Sequence, residues 1–559
     1  MENPSVSARP WLASYPPGIP ADIGIGSYQS LNQLVQQACQ QFHNFPAFRN
    51  FGHSMSYAEL DRQASSFAAY LCSLPGLEAG QRVALMLPNI LQYPVVLLGT
   101  LRAGLVVVNV NPLYTERELE HQLADSGARA IVVLENFAAK VAQVWPNTRL
   151  QHVVVTQIGD MLPPPKRWLL NAGVRYIKKM IPPWHLPQAQ ALMQALRQGA
   201  RLPACTRVAG LQDLAFLQYT SGTTGTAKGA MLTHANVLAN VLQCKAWIGG
   251  NLQPGEEAVL TPLPLYHVFS LVANCLCFMM IGGLNILITN PKDLPGFIKT
   301  MRRERWTVIT GVNTLYSALM NTPGFGPDCV RHCKISVGGG AAMLRPVTER
   351  WMAITHAPLI EGYGLSEATA GVCINPLSNS QVGGIGLPIP STEVQFWRDD
   401  GSQCAPDETG ELVVRGPQVM QGYWQKPQES AEVLTPQGWL KTGDIGSMDA
   451  GGWVRISDRK KDMIIVSGFN VYPAEIETVV AELPGVAEVA AIGVPDERSG
   501  EAVKLFVVRR DPALSSEAIL AHCRSNLAAY KLPRQVEFRN ELPKTPIGKI
   551  LRRCLRDPF

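Results

Sequence analysis

Tyr219-Thr220-Ser221-Gly222-Thr223-Thr224-Gly225-Thr226-Ala227-Lys228-Gly229 is the stretch on which the reading of this chain turns. An apolar run, Leu214-Ala215-Phe216-Leu217, leads into it and has the composition of a buried strand. Beyond it, Thr233 is placed to cap a helix whose Val237, Leu238, Val241 and Leu242 share one face. The stretch holds three glycines, five serine or threonine hydroxyls and a lysine. Glycines let the backbone approach an anion closely, while exposed N–H groups, hydroxyls and an ammonium surround it with donors. That is how a chain holds phosphate. A Walker A loop would need Gly at position 227 and Ser or Thr at 229, where this chain has Ala227 and Gly229. A flexible Ser/Thr/Gly connector is the plainer alternative, and the apolar flanks argue against it.

Upstream, strand Val83-Ala84-Leu85-Met86-Leu87, an apolar helix to about Arg102, and strand Leu105-Val106-Val107-Val108 follow one another. Thr115 and Glu118 form a capping box that opens a helix ending at Gly127, and strand Ala130-Ile131-Val132-Val133-Leu134 comes next. Such alternation predicts a mostly parallel sheet covered by helices. Residues 161–187 interrupt it. Pro163-Pro164-Pro165 precedes Lys166, Arg167, Trp168, Leu169, Leu170, Arg175, Tyr176, Lys178 and Lys179, a mixture suited either to an anionic bilayer or to a solvated surface helix. The α/β pattern resumes after the phosphate loop to about residue 375. Alternating Glu393–Trp397, the turn Asp400-Gly401 and the run Glu411–Val414 then suggest a small β subdomain over roughly 380–455. The charged run Asp458-Arg459-Lys460-Lys461-Asp462 separates it from a last compact unit.

At 559 residues the chain has room for three or four structural units. Its 46% hydrophobic and 17% charged content describe a folded protein. The net charge of +5 suits an anionic substrate or an acidic membrane surface and is too small to argue nucleic-acid binding. Twelve cysteines lack framework spacing, and Met1-Glu2-Asn3-Pro4 begins no signal peptide, so reduced thiols and a cytoplasmic location are expected. Cys275-x-Cys277 and Cys329 with His332 and Cys333 lack a second ligand pair at zinc spacing. Residues 268–289 carry no charge and are long enough to span a bilayer, but Asn274, Asn285 and Gly282-Gly283 favour a buried helix followed by a buried strand.

Four further stretches complete the chemistry. In Glu361-Gly362-Tyr363-Gly364-Leu365-Ser366-Glu367 a tyrosine face can stack on a purine, a hydroxyl can bond an α-phosphate and a carboxylate can hold Mg²⁺. Gly338-Gly339-Gly340-Ala341 offers backbone that a planar base or an acyl chain can pass closely. Asp444, in a glycine-flanked turn, can accept both hydroxyls of a ribose. Lys549, in Pro543-Lys544-Thr545-Pro546-Ile547-Gly548-Lys549, is a long ammonium at the head of a basic tail.

In this order, these stretches resemble the adenylate-forming superfamily over essentially the whole chain, and most of all the bacterial long-chain fatty acyl-CoA synthetases. The resemblance implies an acetyl-CoA synthetase-like α/β fold. Residues 1–457 would form a large N-terminal body of two α/β subdomains plus a small β subdomain, 458–462 a hinge, and 463–559 a mobile α+β C-terminal domain. It implies nucleotide binding by residues 219–229, Gly339, Gly340, Ala341, Glu361, Gly362, Tyr363, Gly364, Asp444 and Arg459. Ser366 stands where most relatives have Thr and keeps the hydroxyl. Catalytic roles fall to Lys549, Ser366, Glu367 and His267, the metal to Glu367, the pivot to Lys461, and coenzyme A contact to Ser467 and Gly468. His267, in Pro264-Leu265-Tyr266-His267, also fits a satisfied core histidine. Where some relatives place a gating Trp, this chain has Leu271.

The implied reaction joins a long-chain fatty acid to coenzyme A with MgATP, through acyl-AMP, releasing pyrophosphate and AMP and feeding fatty-acid degradation or lipid synthesis. Medium-chain or aryl ligation, delivery to a carrier protein, amino-acid activation and a membrane-embedded carrier are the alternatives. Peripheral contact with an anionic membrane is expected, nucleic acid is not, and a monomer and a homodimer both remain open.

Overall fold

The structure is a computed structural model that describes residues 9–26, 28–186, 188–205, 207–220, 227–381, 383–467, 469–496, 498–545 and 548–556. Four sheets organise it. A seven-stranded sheet runs, in spatial order, Gln190–Ala191, His152–Thr156, Ala130–Leu134, Arg82–Met86, Val106–Asn109, Leu214–Thr220 and Lys228–Thr233. All neighbours are parallel except the last pair. The interior strands are rich in Val, Ile and Leu on both faces, as a sheet covered by helices on each side requires. The capping box forms as expected: Thr115 Oγ1 accepts from Glu118 N, Glu118 answers to Thr115 N, and the helix Glu116–Ser126 stops at left-handed Gly127.

One expectation fails at the decisive stretch. Strand does not pass through the loop directly into helix; a second strand, Lys228–Thr233, folds back antiparallel on Leu214–Thr220 before helix His234–Ile248 begins. Thr233 does cap that helix, accepting from Asn236 N at 3.1 Å.

A nine-stranded sheet forms the second α/β unit. Its central strands Leu359–Gly364, Ile335–Gly339, Val308–Gly311, Ala258–Thr261 and Leu284–Leu287 are parallel to one another. Pro46–Asn50 joins in parallel beyond Leu284–Leu287, and antiparallel strands complete the edges. Buried Asn89 stitches the two units together, donating to the carbonyls of Thr261 and Leu263 and accepting from Leu265 N. The uncharged run at 268–289 becomes a short helical stretch over Val268–Met280 and strand Leu284–Leu287, nearly all of it buried. Among the described residues no helix is long and apolar enough to cross a membrane.

A four-stranded antiparallel sheet, Glu393–Trp397, Gly410–Arg415, Leu440–Met448 and Val454–Arg459, is the β layer foreseen from the alternation. Its last strand absorbs Asp458 and Arg459, the first two residues of the charged run. The C-terminal unit carries a five-stranded sheet, Ile464–Val466, Phe469–Val471, Val486–Asp496, Gly500–Arg509 and Gln535–Arg539, with helices Pro473–Ala481 and Ser516–Asn526. It has its own core around Ile476, Val480, Leu505 and Ile519.

Residues Lys166–Ala172 and Gly173–Ile177 form a short helix that ends in a wider π turn, leaving Trp168, Leu169, Tyr176, Ile177 and Met180 exposed. The cysteine reading needs correction: Cys72 and Cys205, 133 residues apart, are joined in a disulfide, while the other ten thiols are free. The pairing is created by tertiary proximity, with Cα atoms 6.1 Å apart, and sequence spacing carries no sign of it.

Candidate active site

The site lies where the two large sheets, the β layer and the C-terminal unit converge. Phosphate-loop residues Ser221, Gly222, Thr223, Thr224, Gly225 and Thr226 fall outside the described residues, as does Gly468. Tyr219 is buried, and its hydroxyl donates to Asp125 at 2.6 Å. Thr220 pairs with Lys228 and Tyr219 with Gly229 across the hairpin. A Cβ on Gly229 would stand 3.0 Å from the Tyr219 ring, a tight contact, so glycine lets the exit strand lie flat on that tyrosine. The Ala227 carbonyl meets His121 Nε2 at 3.1 Å. Lys228 is mostly enclosed, paired with Glu429 at 2.5 Å and lying 5.3 Å from the Tyr423 ring centre.

Across the cleft, strand Ile335–Gly339 delivers Gly339, Gly340 and Ala341 to the rim. A Cβ on Gly339 would be 2.9 Å from the Gly362 carbonyl, and Gly340 turns at a φ of +75°, so these two positions require glycine. The neighbouring strand Leu359–Gly364 carries Glu361, Gly362, Tyr363 and Gly364, and Ser366–Ala368 form one turn after it. Glu361 accepts from Met343 N at 3.2 Å, and desolvation in the cleft pushes its carboxyl up to about 8. At neutral pH Glu361 therefore carries a proton to donate.

Tyr363, Asp444 and Arg459 form one connected group. Asp444 and Arg459 sit opposite each other on adjacent strands. The Tyr363 hydroxyl donates to Asp444 Oδ2 at 2.5 Å, and Arg459 Nε lies 3.1 Å from Asp444 Oδ1. A ribose entering here would share a carboxylate already held in place from two sides. The Glu367 carboxylate is held by Tyr423, whose hydroxyl donates to its Oε1 at 2.8 Å. A carboxylate fixed in this way is the hard-oxygen donor that Mg²⁺ prefers.

The C-terminal unit contributes Lys549. Gly548, at a φ of +86°, makes the turn that presents it, and the Gly548 carbonyl accepts from Thr314 Oγ1 of the N-terminal body at 3.2 Å. Desolvation, then the neighbouring Arg459 cation, pushes the Lys549 ammonium down to about 8. His267 is held near 4 by desolvation and then by Lys549, so it is neutral at pH 7. Lys549 and His267 are thus neighbours in space, although 282 positions apart.

Lys461 is exposed in a turn, and Ser467 is exposed at a φ of +51°. Arg552 bonds Asp458 at 2.9 Å, Glu477 at 2.7 Å and Asp462 at 3.5 Å, while Arg556 reaches Asp462 at 3.0 Å. Sequence reasoning missed Asp125, Tyr423 and Glu429. Each acts on a partner far along the chain, and none sits in a motif that marks it.

This fold and site define an enzyme that activates an acid on a nucleotide. The chain matches the AMP-binding enzyme family over residues 35–424 and the AMP-binding enzyme C-terminal domain over 475–549, and it belongs to that family. It is 53% identical over 548 residues to the long-chain-fatty-acid–CoA ligase of Salmonella typhimurium, covering 98% of each chain. Identity to the enzyme of the same name from Escherichia coli O157:H7 is also 53%, with the same coverage. The crystal structure of ATP-bound MatB from Rhodopseudomonas palustris superposes with a TM-score of 0.82 at 28% identity, covering 94% of this chain and 98% of that one.

Proposed function

We propose that the chain ligates long-chain fatty acids to coenzyme A at the expense of ATP. The observation that carries this is the full-length likeness to long-chain-fatty-acid–CoA ligases at about half the residues, coupled to a cleft whose chemistry suits adenylation.

ATP is taken up with its phosphates in the 219–229 loop, its base between Tyr363 and the Gly339–Ala341 rim, and its ribose on Asp444. Glu361, Gly362 and Gly364 shape the base site, and Arg459 holds Asp444. Glu367 would hold Mg²⁺, which when bound draws charge from the phosphate oxygens. The fatty-acid carboxylate then attacks the α-phosphorus, a P–O bond to carboxyl oxygen forms, and the bond to pyrophosphate breaks. Two anions meet in this step. Lys549 places a cation between them, Ser366 offers a hydroxyl to the α-phosphate, and neutral His267 lines the entry without adding competing charge. In the second half the coenzyme A thiolate attacks the acyl carbonyl and AMP leaves with the electron pair of the broken C–O bond. Rotation of the C-terminal domain about Lys461 would withdraw Lys549 and bring Ser467 and Gly468 to the thiol path.

Peripheral contact with an anionic bilayer belongs to the same reading. Among the described residues, five of the twelve large exposed hydrophobics lie within residues 168–180, and Lys178 and Lys179 beside them have no ion-pair partner. Apolar tips flanked by free cations suit a surface that is apolar beneath and negative above.

The test is a panel of acids from two to eighteen carbons, followed by pyrophosphate, AMP and thioester formation. Highest kcat/KM at fourteen to eighteen carbons supports the reading. A maximum with short or aromatic acids, or AMP formed without free acyl-CoA, overturns it.

A further inference from the structure

Residues 420–433 are used by no step above, yet they touch both ends of the phosphate site. Gly422 accepts from Met231 N at 2.9 Å, and Trp424 N donates to the Gly229 carbonyl at 2.8 Å, so this strap runs alongside the strand that leaves the phosphate loop. Met420 N donates to the Glu367 carbonyl at 2.8 Å, binding the strap to the opposite wall as well. The helix Pro427–Val433 follows, anchored by Ser430, whose hydroxyl accepts from Tyr423 N at 2.8 Å.

Two side chains from this strap reach into the site. The Tyr423 hydroxyl is fixed on Glu367, and its ring lies under the Lys228 ammonium. Glu429 closes on Lys228 at 2.5 Å, with that lysine side chain 13% exposed and the glutamate 32%. The phosphate-loop cation therefore has an anion from the chain itself beside it.

We infer that Glu429 is the resident counter-ion of the phosphate site, which ATP and pyrophosphate must displace from Lys228, and that Tyr423 is the positioning residue tying this exchange to Glu367. The inference rests on the nucleotide reading above. An incoming polyphosphate brings several negative charges against one, so it wins Lys228 from Glu429. When pyrophosphate leaves, Glu429 takes the ammonium back and lowers the affinity of the emptying site. A competing anion that is about a third exposed weakens the ligand's hold only modestly, because such partly screened ion pairs are individually weak.

The experiment is calorimetric titration of the full chain with a non-hydrolysable ATP analogue, with pyrophosphate and with adenosine, each with and without Mg²⁺. Glu429→Gln is expected to bind the analogue and pyrophosphate about three- to fivefold more tightly than wild type, with adenosine unchanged. The gain should vanish in a Lys228→Met background, as a pairwise coupling requires. Tyr423→Phe should shrink the tightening that Mg²⁺ gives to analogue binding by about threefold, again with adenosine unchanged. Equal or weaker polyphosphate binding by Glu429→Gln overturns the inference, as does a gain that persists without Lys228. A Mg²⁺ effect in Tyr423→Phe equal to that of wild type removes the positioning role. A general loosening of the strap would move adenosine affinity and melting temperature in every variant. Failure of wild type itself to bind the analogue would instead sink the nucleotide reading.

Discussion

Lys549→Met removes a cation that the fold holds at a cost. With its ammonium pushed from the usual 10.5 to about 8, keeping Lys549 charged in the closed cleft opposes folding by about 3 kcal/mol. Residual solvent contact at the side chain screens this to roughly 1–3 kcal/mol. The sign follows from proton counts. Below pH 8 both folded and unfolded chains carry the proton and the penalty is complete. Between 8 and 10.5 the folded chain holds fewer protons, so stability of the wild type rises with pH. The methionine variant is therefore expected to resist urea better than wild type at pH 7, and to lose that advantage as pH approaches 10.5. The same variant should lose acyl-AMP formation by about two to three orders of magnitude, the scale of removing one preorganised charge from an electrostatic site. It should still convert supplied acyl-AMP to thioester. Urea melts at pH 7 and pH 10 and the two half-reactions assayed separately decide the matter. A variant less stable than wild type at pH 7, or one that adenylates normally, refutes the placement of Lys549 as a strained cation waiting for phosphate.

Lys228→Ala should weaken ATP use and Glu367→Gln should impair Mg²⁺-dependent adenylation, each by at least about tenfold in kcat/KM; wild-type turnover in both would remove them from the site. Lys461→Pro, with its fixed φ, should form acyl-AMP yet fail at thioester formation, and loss of the same half-reaction as in Lys549→Met would contradict the division of labour. Serine at Trp168 and Ile177 with glutamine at Lys178 and Lys179 should abolish binding to vesicles containing anionic lipid while leaving activity on soluble short-chain acids intact. In the wild type that binding should weaken with salt, and unchanged vesicle binding by the variant would exclude this segment.

The sequence disclosed what local chemistry controls. The Thr115–Glu118 box, the Gly127 stop and the Val/Ile-rich strands follow from residues within a turn or two of one another, and they were legible. The strand Lys228–Thr233 was not, because Lys-Gly-Ala-Met-Leu-Thr has little strand character of its own and is held by partners on two sides, Leu214–Thr220 and the strap at Tyr423. The Cys72–Cys205 bond escaped for a similar reason, its halves being neighbours only after the first sheet has closed. In the site, motif order identified which residues to watch. It did not give their partners in the folded protein: Asp444 held by Tyr363 and Arg459, Lys228 held by Glu429, Tyr219 held by Asp125.

The grip of Arg552 has a mechanical consequence. Its guanidinium bonds Asp458 on one side of Lys461 and Asp462 on the other, and Asp458 also accepts from Ala474 N at 2.7 Å in the C-terminal unit. A joint bridged on both sides cannot turn until the bridge opens. Under the proposed rotation, either the Asp458 contacts would part on every swing, or the swing would occur on the body side of Asp458 and Lys461 would travel with the C-terminal unit as cargo. Arg552→Gln separates these mechanisms by the speed of the swing: an accelerated passage from acyl-AMP to thioester marks the first, and an unchanged one the second.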